Sequence, residues 1–170
     1  MTYSPKKNNT PPIIIAGIFI IFSVLFFMFS AFVSKYLWVM QLCFVSFATI
    51  ALQILIKYVL TTFEYSCDDK FIYIYKSLEK RKILEGKLEL INSASYMLTE
   101  NKFRENGEDY KIKSVYKYTR NFNTKNVYVY VTTMGETNYM IKIEVNDEFA
   151  EFVNGKIDEI LKGNSENDEI

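Results

Sequence analysis

Two long runs without a charged residue decide the fold: Ile13 to Val33 (IIIAGIFIIFSVLFFMFSAFV) and Tyr36 to Ile56 (YLWVMQLCFVSFATIALQILI). Each run has 21 residues. An α-helix rises about 1.5 Å per residue, so about 20 apolar residues cross a hydrocarbon core of roughly 30 Å. Only Ser34 and Lys35 separate the runs, which leaves room for a tight turn. We therefore predict a two-helix transmembrane hairpin over residues 13–60.

Two alternatives exist for the first run, a cleaved signal peptide and a buried helix of a soluble protein. A signal peptide has an apolar region of about 7–15 residues and a small-residue cleavage site. The first run is longer than that and leads directly into the second run. A soluble core helix of this length without any charge is rare, so the hairpin is the favoured interpretation.

The positions of lysine and arginine predict the orientation, because basic residues are retained on the cytoplasmic side of a membrane. Lys6 and Lys7 precede the first run, Lys35 is alone in the turn, and basic residues are frequent after the second run. We predict a multi-pass protein of the cell (inner or plasma) membrane. Its N-terminal tail, residues 1–12, and its C-terminus would both be cytoplasmic.

The charge is strongly segregated along the chain. The 170 residues include 20 Lys+Arg, 20 Asp+Glu and no His, so the formal net charge is zero. Residues 1–69 carry a net charge of +1, residues 70–143 carry +6 and residues 144–170 carry −7. The absence of His excludes Ser-His-Asp and Cys-His catalysis and every His-ligated metal site. Cys43 in the second run and Cys67 beyond it lie in different environments, so we expect no disulfide between them.

No set of residues in the sequence converges on a catalytic or cofactor site. The acidic pairs Asp68/Asp69 and Asp147/Glu148 are adjacent in a turn and at a helix start, and the six Gly are dispersed. We therefore expect no enzyme, no metal and no cofactor. The 13 Tyr would suit base stacking, but the acidic C-terminal segment would repel a phosphate backbone, so we expect no nucleic acid partner. Exposed tyrosines on a strand face also suit a protein partner or self-association.

Residues 61–162 alternate in short segments rich in aromatic and β-branched residues, which predicts an antiparallel β domain. A polar stretch over residues 100–109 is expected to be a long loop. Asn146 is a good N-cap for a final helix with an apolar stripe, and Lys162 and Gly163 are expected to end it. Residues 163–170 are predicted to be a disordered acidic tail. The expected strands are residues 63–67, 71–75, a strand pair within 82–97, 112–118, 127–133 and 138–145, and the helical stripe is Phe149, Phe152, Val153, Ile157, Ile160 and Leu161.

Three segments in this order carry a resemblance to a known family: Thr62 to Cys67 (TFEYSC), Lys80 to Lys82 (KRK) and Asn146 to Phe149 (NDEF). The order of elements resembles the bacterial pleckstrin-homology-like (PH-like) domain of small two-span membrane proteins of low-GC bacteria, over roughly residues 60–161. The resemblance implies an α+β membrane protein with a PH-like antiparallel sheet or barrel and a C-terminal capping helix. Such families are mostly uncharacterised, so it implies an architecture more than an activity. Eukaryotic lipid-binding relatives have a basic first hairpin loop, whereas Asp68-Asp69-Lys70 is short and acidic, so specific phosphoinositide recognition is not expected.

A basic cluster follows the second predicted strand: Lys76, Lys80, Arg81 and Lys82. The first strand runs outward from the second span, and the second strand returns toward it. Basic groups near an anionic leaflet gain on the order of 1 kcal/mol each, so the cluster is a candidate contact with anionic lipid headgroups. The alternative is a solvated strand end that only obeys the positive-inside rule.

Small residues recur every seven positions in the first span, at Ala16, Ser23 and Ser30. Small residues let helices approach closely in lipid. This candidate packing stripe is either the seam between the two spans or an oligomer interface.

The sequence as a whole favours a non-catalytic integral membrane protein. Its PH-like domain would bind a protein partner or the inner-leaflet surface. The alternative is an accessory subunit whose transmembrane hairpin regulates a transporter or membrane enzyme.

Overall fold

The computed structural model describes residues 1–78, 81–106, 110–121, 124 and 126–167. Its contacts divide the chain into two compact units. One unit is Lys7–Thr62, and the other combines Met1–Lys6 with Phe63–Ile170.

The first unit is a pair of apolar helices. Helix α1 spans Thr10–Ser30 and has proline in its first turn, where a missing N–H costs nothing. A 3₁₀ turn, Ser34–Tyr36, leads into α2, Leu37–Ile54, which continues as a π-helical segment, Leu55–Leu60. Thr10–Ser30 and Leu37–Leu60 are long and apolar enough to cross a membrane, by length and composition.

Helices α1 and α2 pack through small residues and phenylalanine rings. Ala16, Ser23 and Ser30 are buried on one stripe of α1, and the Ser23 hydroxyl donates to the Phe44 carbonyl at 3.1 Å. Phe47 of α2 lies against three rings of α1, with centroid distances of 5.4–5.8 Å. The three rings are Phe19, Phe22 and Phe26. The predicted packing stripe therefore lies between the two helices of this hairpin.

The described residues of the second unit form two four-stranded sheets and two α-helices. The first sheet has the order β1-β2-β3-β4 and the second has the order β5-β7-β8-β6. A short helix α3 and a long helix α4 complete the unit. The bounds are β1 Thr2–Tyr3, β2 Thr61–Cys67, β3 Phe71–Leu78, β4 Arg81–Glu89, β5 Leu98–Thr99, α3 Glu100–Glu105, β6 Ile112–Tyr118, β7 Val127–Met134, β8 Thr137–Glu144 and α4 Asp147–Asn167.

The core of this unit is shared by both sheets and α4. Tyr65, Ile74, Tyr130 and Phe149 are fully buried there, and Cys67 lies among them. The tyrosines of β7 are thus packing residues with buried rings.

The second sheet is mixed, so the expectation of a purely antiparallel domain is wrong. Strands β7 and β8 form an antiparallel hairpin, but β6 pairs with β8 in parallel, with Val115 opposite Met140 and Tyr118 opposite Ile143. The chain leaves β6, passes through residues 119–126 to β7, and then returns as β8 between the two. Strands β6 and β7, which are consecutive in the sequence, are therefore not neighbours in the sheet.

Two local predictions are also wrong. The expected loop at residues 100–109 begins as α3, whose N-cap is Thr99; its hydroxyl accepts from the Lys102 N–H at 3.4 Å. The expected strand pair within residues 82–97 is a single strand, β4, followed by a 3₁₀ turn, Leu90–Asn92.

Helix α4 begins as predicted but ends later. The Asn146 side chain accepts from the Phe149 N–H at 3.1 Å, which confirms the N-cap. Gly163 does not adopt the left-handed conformation that ends helices, and α4 continues to Asn167. Residues 163–167 are therefore helical instead of forming a tail, and residues 168–170 lie outside the described residues.

Candidate functional site

One end of the first sheet combines the chain's connections to the helices with the predicted basic cluster. Strand β1 is antiparallel to β2, with Thr2 opposite Ser66 and Tyr3 opposite Tyr65. The chain therefore leaves β1 toward α1 at the end where β2 begins. The β2–β3 turn lies at the far end, so the β3–β4 connection returns to the first end. We call the end formed by Lys6, Phe63, Leu78 and Arg81 the linker end, because the chain enters and leaves the sheet there.

The far end is closed by a side-chain turn. The Asp68 carboxylate accepts from the backbone N–H groups of Lys70 and Phe71 at 2.9 and 2.7 Å. The hydrogen bond from the Lys70 N–H has the largest effect, and together with that from Phe71 it holds the pKa of Asp68 below its usual value. The predicted tight turn at Asp68-Asp69-Lys70 is thus stabilised by the Asp68 side chain, and it reverses the chain between β2 and β3.

Two lysines of the predicted cluster are already paired with carboxylates. Lys82 Nζ lies 2.6 Å from Glu64 Oε1 on β2 and 4.2 Å from the ring centre of Tyr75. Lys76 Nζ lies 3.7 Å from Glu85 Oε1 on β4. Both pairs are at the surface, where they add little stability but partly neutralise the lysines.

The other two members of the cluster are Arg81 and Lys80. Arg81 is exposed at the start of β4, opposite Leu78, and it makes no ion pair with the described residues. Lys80 lies outside the described residues. The predicted cluster therefore presents one unpaired cation in the part of the chain that the structure describes.

Apolar side chains are exposed beside Arg81. Leu78 is 43% exposed, Ile83 56% and Leu84 48%. Ile83 is opposite Lys76, and both lie on the face that forms the core deeper in the sheet, at Ile72 and Leu88. A bulge between Ile74 and Tyr75 inserts one extra residue in β4 near the point where the core ends. We call Leu78, Arg81, Ile83 and Leu84 the hairpin patch.

A buried polar network fixes the N-terminal segment to the domain. The Glu144 carboxylate, 6% exposed, accepts from the backbone N–H groups of Arg120 and Asn121 at 3.1 and 3.0 Å, and from the Asn121 side chain. Arg120, 4% exposed, donates to the Pro5 carbonyl at 3.3 Å. Asn121 donates to the Lys6 carbonyl at 3.1 Å. Residues 5 and 6 are thus bound by the segment between β6 and β7.

Tyr65 joins this network to β2. Its hydroxyl donates to the Tyr118 carbonyl and accepts from the Glu144 N–H at 3.3 Å. Burial raises the pKa of Tyr65, so the phenol stays neutral. Burial also lowers the pKa of Arg120, and the nearby Glu144 carboxylate opposes that shift. This network was missed because, in the sequence, Arg120 and Glu144 look like surface charges.

Cys67 and Tyr128 are poor acid–base or nucleophilic groups near neutral pH. Burial raises the pKa of the Cys67 thiol to about 11. Burial and the hydrogen bond to Asp147 raise the pKa of Tyr128 to about 12. Tyr128 and Asp147 line a cleft of about 320 Å³ between α4 and the β5–α3 segment, together with Lys102 and Glu151. These groups therefore serve packing and hydrogen bonding.

The comparisons add no relative to this geometry: no family model, no curated protein and no solved structure matches the chain.

Proposed function

We propose that the protein is an integral, non-catalytic protein of the cell membrane. Helices α1 and α2 anchor it, and its PH-like cytoplasmic domain contacts the inner-leaflet surface through the hairpin patch. The observation that carries this proposal is the position of exposed apolar residues and of Arg81, which has no ion pair with the described residues, at the linker end. Two sheets closed by α4 agree with the PH-like outline, whereas the parallel β6–β8 pair departs from it.

Chain connectivity supports a short distance between the patch and the bilayer. Thr61 of β2 directly follows Leu60, the last residue of the second apolar span. Only residues 7–9 lie between the N-terminal segment and Thr10 of α1, and three residues reach at most about 10 Å. Two short tethers at one end of a sheet hold that end near the headgroups when the helices span the membrane.

The chemistry of the patch suits a membrane interface. Leucine and isoleucine side chains enter the boundary between headgroups and acyl chains, and a neighbouring arginine attracts anionic lipid. Lys76 and Lys82 contribute less than Arg81, because Glu85 and Glu64 partly cancel their charge. The contact we propose is therefore mixed, and it differs from the purely basic cluster predicted from sequence.

The pairing of β1 with β2 supports the proposed orientation. It requires the segment before α1 and the domain after α2 to lie on the same side of the bilayer, as an inserted hairpin provides. Lys6 and Lys7 favour the cytoplasm for that side.

Depth-dependent fluorescence quenching tests the proposal on the full chain in nanodiscs. A fluorophore is attached at Leu78→Cys, in a chain whose two native cysteines are replaced by alanine. Lys70→Cys, in the turn at the far end of the sheet, is the matched control. We expect lipids with a quencher near the headgroup to quench the label at position 78 and to leave the label at position 70 unaffected. Equal quenching at the two positions would contradict the proposal.

The charge contribution is tested by comparing Arg81→Glu with Lys70→Glu, which make the same change in charge. Arg81→Glu is expected to reduce quenching at position 78 at least about threefold in anionic nanodiscs, with little effect in neutral ones. Lys70→Glu is expected to change neither. An equal effect of both variants would show that only the net charge of the domain matters, and it would contradict the role of the hairpin patch.

A further inference from the structure

Helix α2 has two faces with the same residue spacing. Phe44, Phe47 and Ala51 face α1 or are buried in the seam. The other face is polar and is formed by Ser46, Thr49 and Gln53, each two positions further along. Two residues turn an α-helix by about 200°, so the polar face points away from α1. All three of its side chains are exposed.

These residues lie deep in the proposed span, so the inference rests on the proposed membrane anchoring. The span Leu37–Leu60 has its midpoint beside Thr49. Gln53 is four residues from Thr49, or about 6 Å along the axis. A polar group at that depth faces hydrocarbon on the outside of the hairpin, where no water is present to bind it.

The hydrogen bonds of a single copy do not satisfy this face. The Thr49 hydroxyl donates to the Val45 carbonyl at 2.8 Å, which leaves its oxygen free to accept. In the described part of the chain, neither the Gln53 carboxamide nor the Ser46 hydroxyl has a hydrogen-bond partner. A carboxamide exposed to lipid without a partner is costly, so a second polar surface is needed.

We propose that Ser46, Thr49 and Gln53 form the contact face for a second copy of the chain, with α2 packed in parallel against α2. Copies with one topology present α2 in the same direction, so a two-fold axis places Gln53 opposite Gln53. A carboxamide has both donors and an acceptor and is therefore complementary to itself. Ser46 and Thr49 are small enough for the two backbones to approach closely, and the partner's Gln53 can donate to Thr49.

The test measures association of the full chain in lipid vesicles by energy transfer between two labelled populations. The label is attached at Lys70→Cys in a chain without native cysteines. Gln53→Leu is compared with Gln41→Leu, the same substitution at an exposed residue of the same helix, about 120° around the axis. Gln53→Leu is expected to weaken association about tenfold. Gln41→Leu should leave it within about twofold of the native chain, and Gln53→Asn should restore most of it.

Membrane integration is measured first, by resistance to alkaline carbonate extraction. A chain that carbonate removes contradicts the proposed anchoring. A chain that stays in the membrane but shows no energy transfer at any protein-to-lipid ratio overturns the dimer and leaves the anchoring intact. Equal effects of Gln53→Leu and Gln41→Leu also overturn it.

Discussion

Strands β2 and β4 flank β3 in the same sheet but have opposite surroundings. Every second side chain of β2 is buried, from Thr61 through Cys67, and Tyr65 links the strand to the second sheet. In β4, residues 81–85 are all exposed, and only Leu88 is buried. Strand β2 lies between β1 and β3, whereas β4 is an edge strand, and only β2 is covered along its whole length on one face. We therefore expect changes in β2 to affect stability, and changes in the exposed half of β4 to affect the proposed membrane contact.

The largest expected effect comes from Tyr65→Ala. It removes a fully buried ring and leaves the Glu144 N–H and the Tyr118 carbonyl without their partner. We expect a loss of about 4 kcal/mol in the free energy of unfolding, measured by urea unfolding in mild detergent with circular dichroism. Ile83→Ala in β4 is the control, and it should stay within about 0.5 kcal/mol of the native chain. Similar losses for both would remove the distinction between the strands.

Glu144→Gln is expected to have the next largest effect. The volume is retained, but the charge beside the buried Arg120 and the strength of the hydrogen bonds from residues 120 and 121 are reduced. We expect a loss of about 2 kcal/mol in the same unfolding experiment. Protease cleavage within residues 1–6 should accelerate, because Arg120 and Asn121 bind that segment. An unchanged cleavage rate would show that the network does not hold it.

Cys67, at the end of β2, predicts a smaller loss of stability at alkaline pH. Burial raises the pKa of the folded thiol to about 11 from 9.0, so the unfolded chain ionises first. The contribution of the protonated Cys67 thiol to the free energy of unfolding is intact below about pH 9. It is lost as the pH rises from 9 to 11, because the thiol ionises more readily in the unfolded chain. Urea unfolding at pH 8 and pH 10.5 measures the loss, and Cys67→Ala should reduce it. The tyrosines account for the remainder, so an identical loss in the variant would exclude the thiol.

The smallest effect is expected for the ion pair that joins β4 to β2 across β3. Lys82 and Glu64 are 2.6 Å apart, and both side chains are at least one third exposed. A double-mutant cycle with Lys82→Met and Glu64→Gln should give a coupling energy of about 0.5 kcal/mol. This coupling should decrease in 1 M salt, where screening reaches about 3 Å. A coupling energy above about 2 kcal/mol would contradict the prediction, because it would show that the exposed half of β4 contributes to stability as β2 does.

The elements that the sequence predicted are those with a local cause. Charge-free length predicts α1 and α2, and Asn146 with a three- and four-residue apolar spacing predicts the start and buried face of α4. Gly135 takes a positive φ of 63° in the turn between β7 and β8, a conformation that glycine adopts without steric cost.

The features that could not be predicted depend on long-range contacts. Strand β1 has two residues and no periodicity, and its partners lie about sixty positions later. The parallel position of β6 depends on where β8 returns, and the pairing of Lys76 and Lys82 with carboxylates depends on neighbouring strands. The basic cluster at residues 76–82 therefore stays a prediction as a lipid contact, and the pairing of its charges and the exposed apolar residues beside it are visible only in the structure.

The pairing of β1 with β2 also sets the order of events during biosynthesis. Residues 2 and 3 are synthesised before both apolar helices, whereas their partners at 65 and 66 are synthesised after them. The first sheet therefore stays incomplete while the helices are synthesised. A chain in which only one helix crosses the bilayer would place β1 and β2 on opposite sides, and the sheet could not close. Closure of the β1–β2 pair is therefore compatible with a hairpin whose two helices both cross a bilayer, and incompatible with one in which a single helix does.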